Sequence, residues 1–403
     1  MTRVIVSKRS LPAGRQGSEM DWVVEDLQTL EKQGLRRRLR QVQGRQSRTI
    51  FVDGKEVLNF CSNNYLGLAD DARLVKAAAE AMGKYGFGSG ASRLVCGNMT
   101  PHEELERALA ELKHTESGLV FNSGYSANTG IIPALFGRND SIFSDRLNHA
   151  SIVDGIILSR AGYKRYPHLD LQALEEGLKQ SSASQRRLIV TDTVFSMDGD
   201  TAPLKEIVEL ARRYEAWVMV DEAHGFGVLG HNGAGLAEEL GVSDQIDIQM
   251  GTLSKAAGCF GAYACGRGEL RDYLLNHARS FIYTTAIPPA WAAAAQQALN
   301  IIQDPVEGPQ RRQALKTNAD YLRSQLKTLG FDTMNSTTPI IPIIVKEAQT
   351  AVDMSRRLFE QGIFVQAIRP PTVPLNTARL RVTVMSTHTQ DDLDHFLACM
   401  KGL

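Results

Sequence analysis

The sequence has few cysteines, no excess of charge of either sign and no long apolar run. Its five cysteines show no C-x-x-C spacing, which argues against a disulfide framework and a structural zinc site. Lysine plus arginine and aspartate plus glutamate number 45 each, so neither a nucleic-acid footprint nor a polybasic membrane patch is indicated. The apolar stretch at 290–295 is far shorter than the roughly 18 residues of a membrane helix. We expect a cytoplasmic protein without metal, nucleic acid or membrane as partners.

The composition is that of an ordinary globular protein, with 43% hydrophobic and 22% charged residues. From about residue 72 to 280, helical and strand patterns alternate, and strands such as Leu188–Thr193 and Trp217–Val220 are continuously apolar. Strands buried on both faces and separated by helices indicate βαβ units and a parallel sheet. Residues 338–403 show the order strand, helix, strand, strand, helix, which is typical of a small α+β domain.

These patterns predict four parts of the chain. Residues 1–19 show no periodicity and are expected to form a mobile extension. Residues 20–60 form a helical and strand segment, in which an amphipathic helix runs from Trp22 to Arg40. Residues 61–290 form the large domain and residues 291–403 the small C-terminal domain.

Two polar residues follow the apolar strand at 217–220. Asp221 ends the strand directly, and His224 lies shortly after it. Ligands of open α/β folds bind at such strand ends. Asp221 could ligate a metal, pair with a ribose or a pyridinium group, or cap a helix. His224 could equally be a structural histidine.

Lys255 lies among small residues after the predicted strand Ile246–Met250. Taken alone, a lysine is most often a surface residue. A lysine in a desolvated pocket, however, has a lowered pKa and becomes a nucleophile for carbonyl groups. The glycines and alanines that flank Lys255 leave room for a planar ligand.

A strand-to-helix turn at Ser123 and Gly124 is a candidate phosphate site, because backbone N–H groups at a helix start bind phosphate. A simple capped turn is equally compatible with these residues. The chain has no Walker sequence. Its glycine-rich stretch at 86–90 follows a helix rather than a strand, which disfavours a nicotinamide-binding dehydrogenase.

Together, the candidate phosphate site, the acid at a strand end and the lysine are the parts needed to hold pyridoxal phosphate. The lysine would form a Schiff base, and the carboxylate would keep the pyridine nitrogen protonated so that the ring accepts charge. His149, after the predicted strand Ser141–Ser144, is a candidate to stack on the ring. It could otherwise cap a helix.

A series of motifs resembles the α-oxoamine synthase family of pyridoxal-phosphate enzymes, from about Trp22 to the C-terminus. The resemblance implies an α/β fold of the PLP-dependent transferase type I (aspartate-aminotransferase-like) class. Such a fold has a mainly parallel sheet in a large PLP-binding domain and a small α+β C-terminal domain. It also implies a homodimer with shared active sites. The motifs are NFCSNNYLGL (59–68), YGFGSGASRLVCGN (85–98), FNSGYSAN (121–128), NHASIVDG (148–155), TDTVFSMDGD (191–200), VDEAHGFGVLG (220–230), GTLSKAAGCFGAY (251–263) and FIYTTAIPP (281–289).

The resemblance also implies residue roles. Lys255 forms the Schiff base and later transfers a proton, Asp221 pairs with the pyridinium nitrogen, and His149 stacks on the ring. The cofactor-binding set is Ser123, Gly124, Tyr125, His149, Ser196, Asp221, His224, Thr252 and Lys255, with Thr284 and Thr285 of the partner subunit. The substrate-binding set is Arg36 near the acyl donor, Asn63, His149, Arg369, Thr372 and Arg381, the last a candidate clamp for the amino-acid carboxylate.

Members of the family condense an amino acid with an acyl thioester, release coenzyme A and usually decarboxylate the product. The string IRPPTVP at 368–374, followed by Ala378–Arg381, resembles the biotin-pathway branch. That branch joins L-alanine to a pimeloyl thioester of coenzyme A or a carrier protein. The alternatives are glycine with acetyl-coenzyme A, or another amino acid and donor. Asn64 and the run 385–387 depart from the pattern of the branch and bear on donor preference.

A non-catalytic scaffold subunit is the alternative from another class of protein. The presence of Lys255, Asp221, His224 and His149 argues against it.

Overall fold

The structure, a computed structural model, describes residues 21–33 and 35–403, so the extension expected at 1–19 lies outside the described residues. The chain divides into two units, Met1–Gln41 and Val42–Leu403. In the first unit, helix α1 (Asp21–Lys32) has no buried residue. The prediction that this helix continues to Arg40 is wrong, since residues 35–40 have no regular structure. The sequence places a glycine at 34, and glycine is unfavourable within helices.

The second unit contains all the strands and the remaining helices of the described chain. Its strands are β1 (Val42–Gln43), β2 (Thr49–Val52), β3 (Lys55–Asn59), β4 (Ser117–Phe121), β5 (Ser141–Asp145), β6 (Gly162–Tyr166), β7 (Arg187–Asp192), β8 (Trp217–Asp221), β9 (Ile248–Thr252), β10 (Ala262–Gly266), β11 (Ile340–Lys346), β12 (Ile363–Phe364), β13 (Gln366–Ile368) and β14 (Ala378–Thr383). Its α-helices are α2 (Ala72–Tyr85), α3 (Thr100–Leu112), α4 (Gly124–Leu135), α5 (Ala150–Ser159), α6 (Leu171–Lys179), α7 (Leu204–Arg213), α8 (Leu236–Glu239), α9 (Gly268–His277), α10 (Arg279–Ile282), α11 (Pro289–Gln303), α12 (Glu307–Thr328), α13 (Ala348–Glu360) and α14 (Gln390–Lys401). A π-helical turn at Arg93–Gly97 and a 3-10 turn at Ser243–Gln245 complete the set.

A seven-stranded sheet in the order β4-β10-β9-β8-β7-β5-β6 forms the centre of the second unit. The strands from β9 to β6 pair in parallel, which confirms the mainly parallel sheet expected from the sequence. Strand β10 instead runs antiparallel to both of its neighbours. The reason is the short connection at 253–261, since a parallel partner needs a crossover of about a dozen residues or more.

Apolar residues cover both faces of this sheet. On one face, Ile131 of α4 and Ile152 of α5 belong to one buried cluster with strand residues. On the other face, Leu174 of α6 and Ile207 of α7 belong to a second cluster. All residues of β9 and β10 are buried, so the connection between them extends from the most protected part of the sheet.

The C-terminal part has the predicted order of strands and helices, with one short strand added. Strands β11, β14 and β13 form an antiparallel sheet that packs with α12, α13 and α14 in one apolar cluster. The added strand β12 pairs in parallel with β3, at the edge of a four-stranded sheet in the order β1-β2-β3-β12. Among the described residues, no helix has the length and apolarity to cross a bilayer.

A partly buried histidine bridges two acidic residues beside the large sheet. His168 Nδ1 lies 3.0 Å from Asp145 Oδ1, and its Nε2 lies 2.8 Å from Asp200 Oδ2. Burial alone would lower the pKa of His168, but the hydrogen bonds to the two carboxylates outweigh it and raise the pKa to about 9. Asp198 adjoins this group and pairs with Arg379. Both ring nitrogens of His168 and one oxygen each of Asp198 and Asp200 are thus already engaged within the protein.

Replacing His168 with asparagine should destabilise the fold in a pH-dependent way. The folded-state pKa exceeds the ordinary 6.5, so the contribution is complete below that pH and is lost as pH rises through about 9. We expect a loss of about 1–3 kcal/mol of unfolding free energy near neutral pH. Urea unfolding at about pH 6 and about pH 10 tests this, with the exposed His231→Asn as control. An equal loss at both pH values would refute the charge argument.

Candidate active site

Lys255 lies in the β9–β10 connection, at the carboxyl end of a central strand. Its Nζ lies 2.9 Å from His224 Nε2. Burial lowers the pKa of Lys255 to about 8, although Asp221 and Asp192 partly oppose the shift. A larger fraction of this amine is therefore unprotonated near neutral pH than in an exposed lysine.

The same connection is held close to the chain at 68–69. Gly258 has a φ of +64°, and a Cβ atom there would lie only 2.4 Å from the backbone nitrogen of Ala69. Glycine is therefore required where the loop packs. This close packing fixes the backbone that carries Lys255.

Asp221 ends β8 and is buried. Asn128 of α4 donates from Nδ2 to Asp221 Oδ2 over 2.9 Å, and the backbone N–H of Ala223 donates to Oδ1 over 2.9 Å. Asn128 also donates to Ser151 Oγ at 2.9 Å. The carboxylate is thus held in a fixed orientation by donors on two sides.

A second buried acid, Asp192, lies at the end of β7 and was not among the predicted site residues. Burial raises the pKa of Asp192 well above its ordinary value, and the nearby Asp221 adds to the effect. Its Oδ2 accepts a hydrogen bond of 2.7 Å from the backbone N–H of His149. Asp192 follows a buried strand as Asp221 does, so the strand-end signal could have found it.

His149 caps the start of α5, the alternative role considered from the sequence, and it also faces the cavity that Lys255 lines. Its Nδ1 lies 2.7 Å from Ser151 Oγ. Burial lowers the pKa of His149, so the ring is neutral near pH 7. A neutral, oriented imidazole is suited to lie against a planar ring.

The start of α4 forms the other end of the cavity. Ser123 caps the helix, its Oγ accepting from the backbone N–H of Ser126 over 3.1 Å. A Cβ on Gly124 would lie 3.2 Å from Met250 Cε, so glycine keeps this space open. The first N–H groups of the helix lack intrahelical partners. Thr252 lies nearby and donates from Oγ1 to the carbonyl of Gly261 over 2.9 Å.

Two adjoining cavities share Ser254 and Lys255. The smaller, about 180 Å³, brings together most of the predicted cofactor residues, whereas the larger, about 510 Å³, includes Asn63 and Asn64. Lining the smaller cavity are Gly124, Tyr125, His149, Ser151, Asp192, Ser196, Asp221, Ala223, His224, Met250, Thr252, Ser254 and Lys255. Ser123, Thr284 and Thr285 are not among the residues that line it.

Arg381 of β14 lies beside this site. It donates from Nε to the carbonyl of Ser196 over 2.5 Å, and its two terminal nitrogens lie 3.1 and 3.2 Å from Asn63 Oδ1. Arg369 and Thr372 precede β14 and line neither of the two cavities. Arg36 belongs to the first unit, where it pairs with Glu31 at 3.3 Å.

One cavity brings a reactive amine together with a fixed buried carboxylate and an open helix start, which fits the chemistry of a pyridoxal-phosphate-dependent transferase of fold type I. Residues 55–399 match the aminotransferase class I and II family, and the chain belongs to it. It is 55% identical to the 8-amino-7-oxononanoate synthase of Geobacter sulfurreducens, over 94% of this chain and 96% of that protein. It is 52% identical to a putative enzyme of the same name from Geobacillus kaustophilus, over 92% and 94% of the two chains.

Solved structures of related pyridoxal-phosphate enzymes share the fold of this chain. A serine palmitoyltransferase from S. paucimobilis with bound PLP has a TM-score of 0.90 at 30% identity, covering 95% of this chain and 97% of that one. The 8-amino-7-oxononanoate synthase of Francisella tularensis has a TM-score of 0.74 at 30% identity, covering 86% and 97%. The predicted membership of the α-oxoamine synthase family, the fold type and the cofactor are confirmed.

Proposed function

We propose that this protein joins L-alanine to a pimeloyl thioester and releases carbon dioxide, to give 8-amino-7-oxononanoate for biotin biosynthesis. The observation that carries the chemistry is the amine of Lys255, 2.9 Å from His224 in the cavity that Asp221 also lines. The identity of 55% to an enzyme of this name supports the particular reaction. The resemblance of the string at 368–374 to the biotin-pathway branch points the same way.

The residues of the smaller cavity fit pyridoxal phosphate. When bound, this cofactor supplies a carbonyl group for amines and a ring that accepts charge from the α-carbon of an amino acid. Lys255 would hold it covalently, and Asp221 would pair with the ring nitrogen. The turn at Ser123–Tyr125 and Thr252 would hold the phosphate. His149 would cover the ring, while Ser196 and His224 would face its phenolic oxygen.

Lys255 moves the proton in this mechanism. With a pKa of about 8, its amine can accept the proton of the substrate α-carbon and return it later. The guanidinium of Arg381 would bind the carboxylate of the amino acid with two parallel hydrogen bonds, as the family resemblance implies. Asn63, which now accepts from Arg381, would then share the arginine with the substrate.

The larger cavity offers space for the acyl thioester next to Lys255. Arg36, Arg369 and Thr372 are our proposed contacts to the substrates, on the family resemblance alone.

We also propose a homodimer in which Thr284 and Thr285 of the partner subunit complete the phosphate site. A cytoplasmic location stays a prediction, supported by five cysteines that form no disulfide.

Three substrate pairs test the assignment: L-alanine with pimeloyl-coenzyme A, glycine with acetyl-coenzyme A, and L-serine with palmitoyl-coenzyme A. We expect 8-amino-7-oxononanoate, detected by mass spectrometry, from the first pair. With the pimeloyl donor, kcat/KM for L-alanine should exceed that for glycine about tenfold or more, because one methyl group contributes about 1–3 kcal/mol in a fitted pocket. Preference for glycine with acetyl-coenzyme A would instead assign the glycine branch. Preference for the serine pair would assign the activity that the structural relative's name gives.

A further inference from the structure

Tyr65 forms the end of a row of hydrogen-bonded side chains that reaches Lys255. The tyrosine is fully buried, and its hydroxyl oxygen lies 2.6 Å from His224 Nδ1. The opposite ring nitrogen, Nε2, lies 2.9 Å from Lys255 Nζ. The state of one nitrogen of the imidazole therefore determines what the other can do for the lysine.

His224 can connect its neighbours in two ways. Burial, together with the charges of Lys255 and Arg381, lowers the pKa of His224 well below its ordinary value, so the ring is neutral. A neutral imidazole has one N–H donor and one acceptor nitrogen. If Tyr65 donates to Nδ1, the ring carries Nε2–H, which can donate only to a neutral amine. If Nδ1–H donates to the tyrosine, Nε2 is bare and accepts from Lys255 whether the amine is protonated or neutral.

The surroundings of Tyr65 favour the first arrangement. The other acceptor near its hydroxyl, Asn63 Oδ1, is farther away at 3.3 Å and already accepts from two nitrogens of Arg381. The positive charge of Arg381 also acts on the phenol and opposes the rise in pKa that burial causes. A cation beside the oxygen turns the O–H dipole away from itself. Of the two acceptors near the Tyr65 hydroxyl, Asn63 Oδ1 and His224 Nδ1, only His224 Nδ1 then remains for its proton.

We propose that Tyr65 is a positioning residue: by donating to Nδ1 of His224 it fixes the Nε2–H tautomer, which donates to Lys255 and favours its neutral, nucleophilic amine. This inference rests on the proposed role of Lys255 in attaching pyridoxal phosphate, and not on which substrates the enzyme uses.

Other charged groups also act on Lys255, and the test must leave them in place. Asp221 and Asp192 favour the protonated amine, whereas Arg381 and burial oppose it. His149 completes the surroundings as a neutral ring. Tyr65→Phe leaves all of these side chains in place and removes the hydroxyl from His224 Nδ1, at 2.6 Å, and from the more distant Asn63 Oδ1, at 3.3 Å.

The first test is the pH dependence of pyridoxal-phosphate attachment to the full chain freed of its cofactor, followed by absorbance. The wild-type rate should rise with a midpoint near 8. Tyr65→Phe should raise this midpoint by about half to one pH unit and slow attachment near neutral pH about three- to tenfold. Tyr263→Phe is the matched control, because its buried hydroxyl has no hydrogen-bond partner among the described residues. It should retain the wild-type midpoint.

The second test uses only the wild-type chain, so it does not depend on whether Tyr65→Phe folds. Selective ¹⁵N labelling of histidine in the wild-type chain should show His224 with a bare Nδ1 and a protonated Nε2. A protonated Nδ1, or an unchanged midpoint in a folded Tyr65→Phe variant, would overturn the inference alone. Peptide mapping after borohydride reduction identifies the modified lysine. Attachment elsewhere than Lys255 would overturn the proposed function as well.

Discussion

Replacement of Lys255 by alanine is expected to abolish turnover and covalent attachment of pyridoxal phosphate. The amine faces the cavity and has a lowered pKa, and in our proposal it both attaches the cofactor and moves the proton. Proton transfer by a positioned side chain accelerates a reaction about 100- to 10,000-fold, and loss of the attachment step lowers the rate further. Steady-state rates and mass spectrometry after borohydride reduction measure the two losses separately.

Small primary amines distinguish loss of the amine from loss of the fold. Added methylamine should restore part of the turnover of Lys255→Ala, because a free amine can enter the space of the missing side chain. Circular dichroism should match the wild type. Substantial turnover by the variant without added amine would contradict the role of Lys255.

Replacement of Asp221 by asparagine is expected to leave the cofactor bound but to slow the reaction about a hundredfold or more. The amide keeps the shape of the carboxylate but cannot hold a proton on the ring nitrogen. Both carboxylate oxygens now accept hydrogen bonds, one from Asn128 and one from Ala223. The amide can satisfy only one of these donors, so we also expect a loss of about 1 kcal/mol in unfolding free energy.

The exchange rate of the substrate α-proton with deuterium from solvent, measured by NMR, tests the role of Asp221 without the acyl donor. Asp272→Asn, which removes an exposed carboxylate paired with Arg271, is the control for loss of charge. Deuterium exchange at the wild-type rate in Asp221→Asn would argue against pairing with the ring nitrogen. A thermal melt of each variant shows whether the fold persists.

A single local pattern predicts the part of the site that lies at strand ends. An apolar strand leads directly to Asp221 and another to the loop of Lys255, so both are recognisable in the sequence. The same pattern applies to Asp192, but this residue lies inside the apolar run at 188–193, where a carboxylate is hard to separate from the strand itself. The alternating pattern likewise predicted the parallel sheet but did not show that β10 turns back, because its direction depends on connection length.

Tyr65 could not be found this way. Its partner His224 is distant in sequence, and the contact exists only because the chain near residue 65 packs against the sheet end. A buried tyrosine in the sequence gives no signal that distinguishes a core residue from a hydrogen-bond donor. The roles of Arg36, Arg369 and Thr372 depend on substrates and on the resemblance, and they stay predictions.

The placement of Lys255 between β9 and β10 has a consequence for how activity is lost. Both strands are wholly buried, pair with each other and are each flanked by a further strand of the sheet. Because both flanking strands are buried, we expect the two ends of the loop to stay anchored until the sheet separates. Fluctuations of exposed segments can therefore change how substrates enter without releasing the reactive amine. We therefore expect heat inactivation at this lysine to follow the barrier to global unfolding, so that the lifetime of the active enzyme depends on the entire fold.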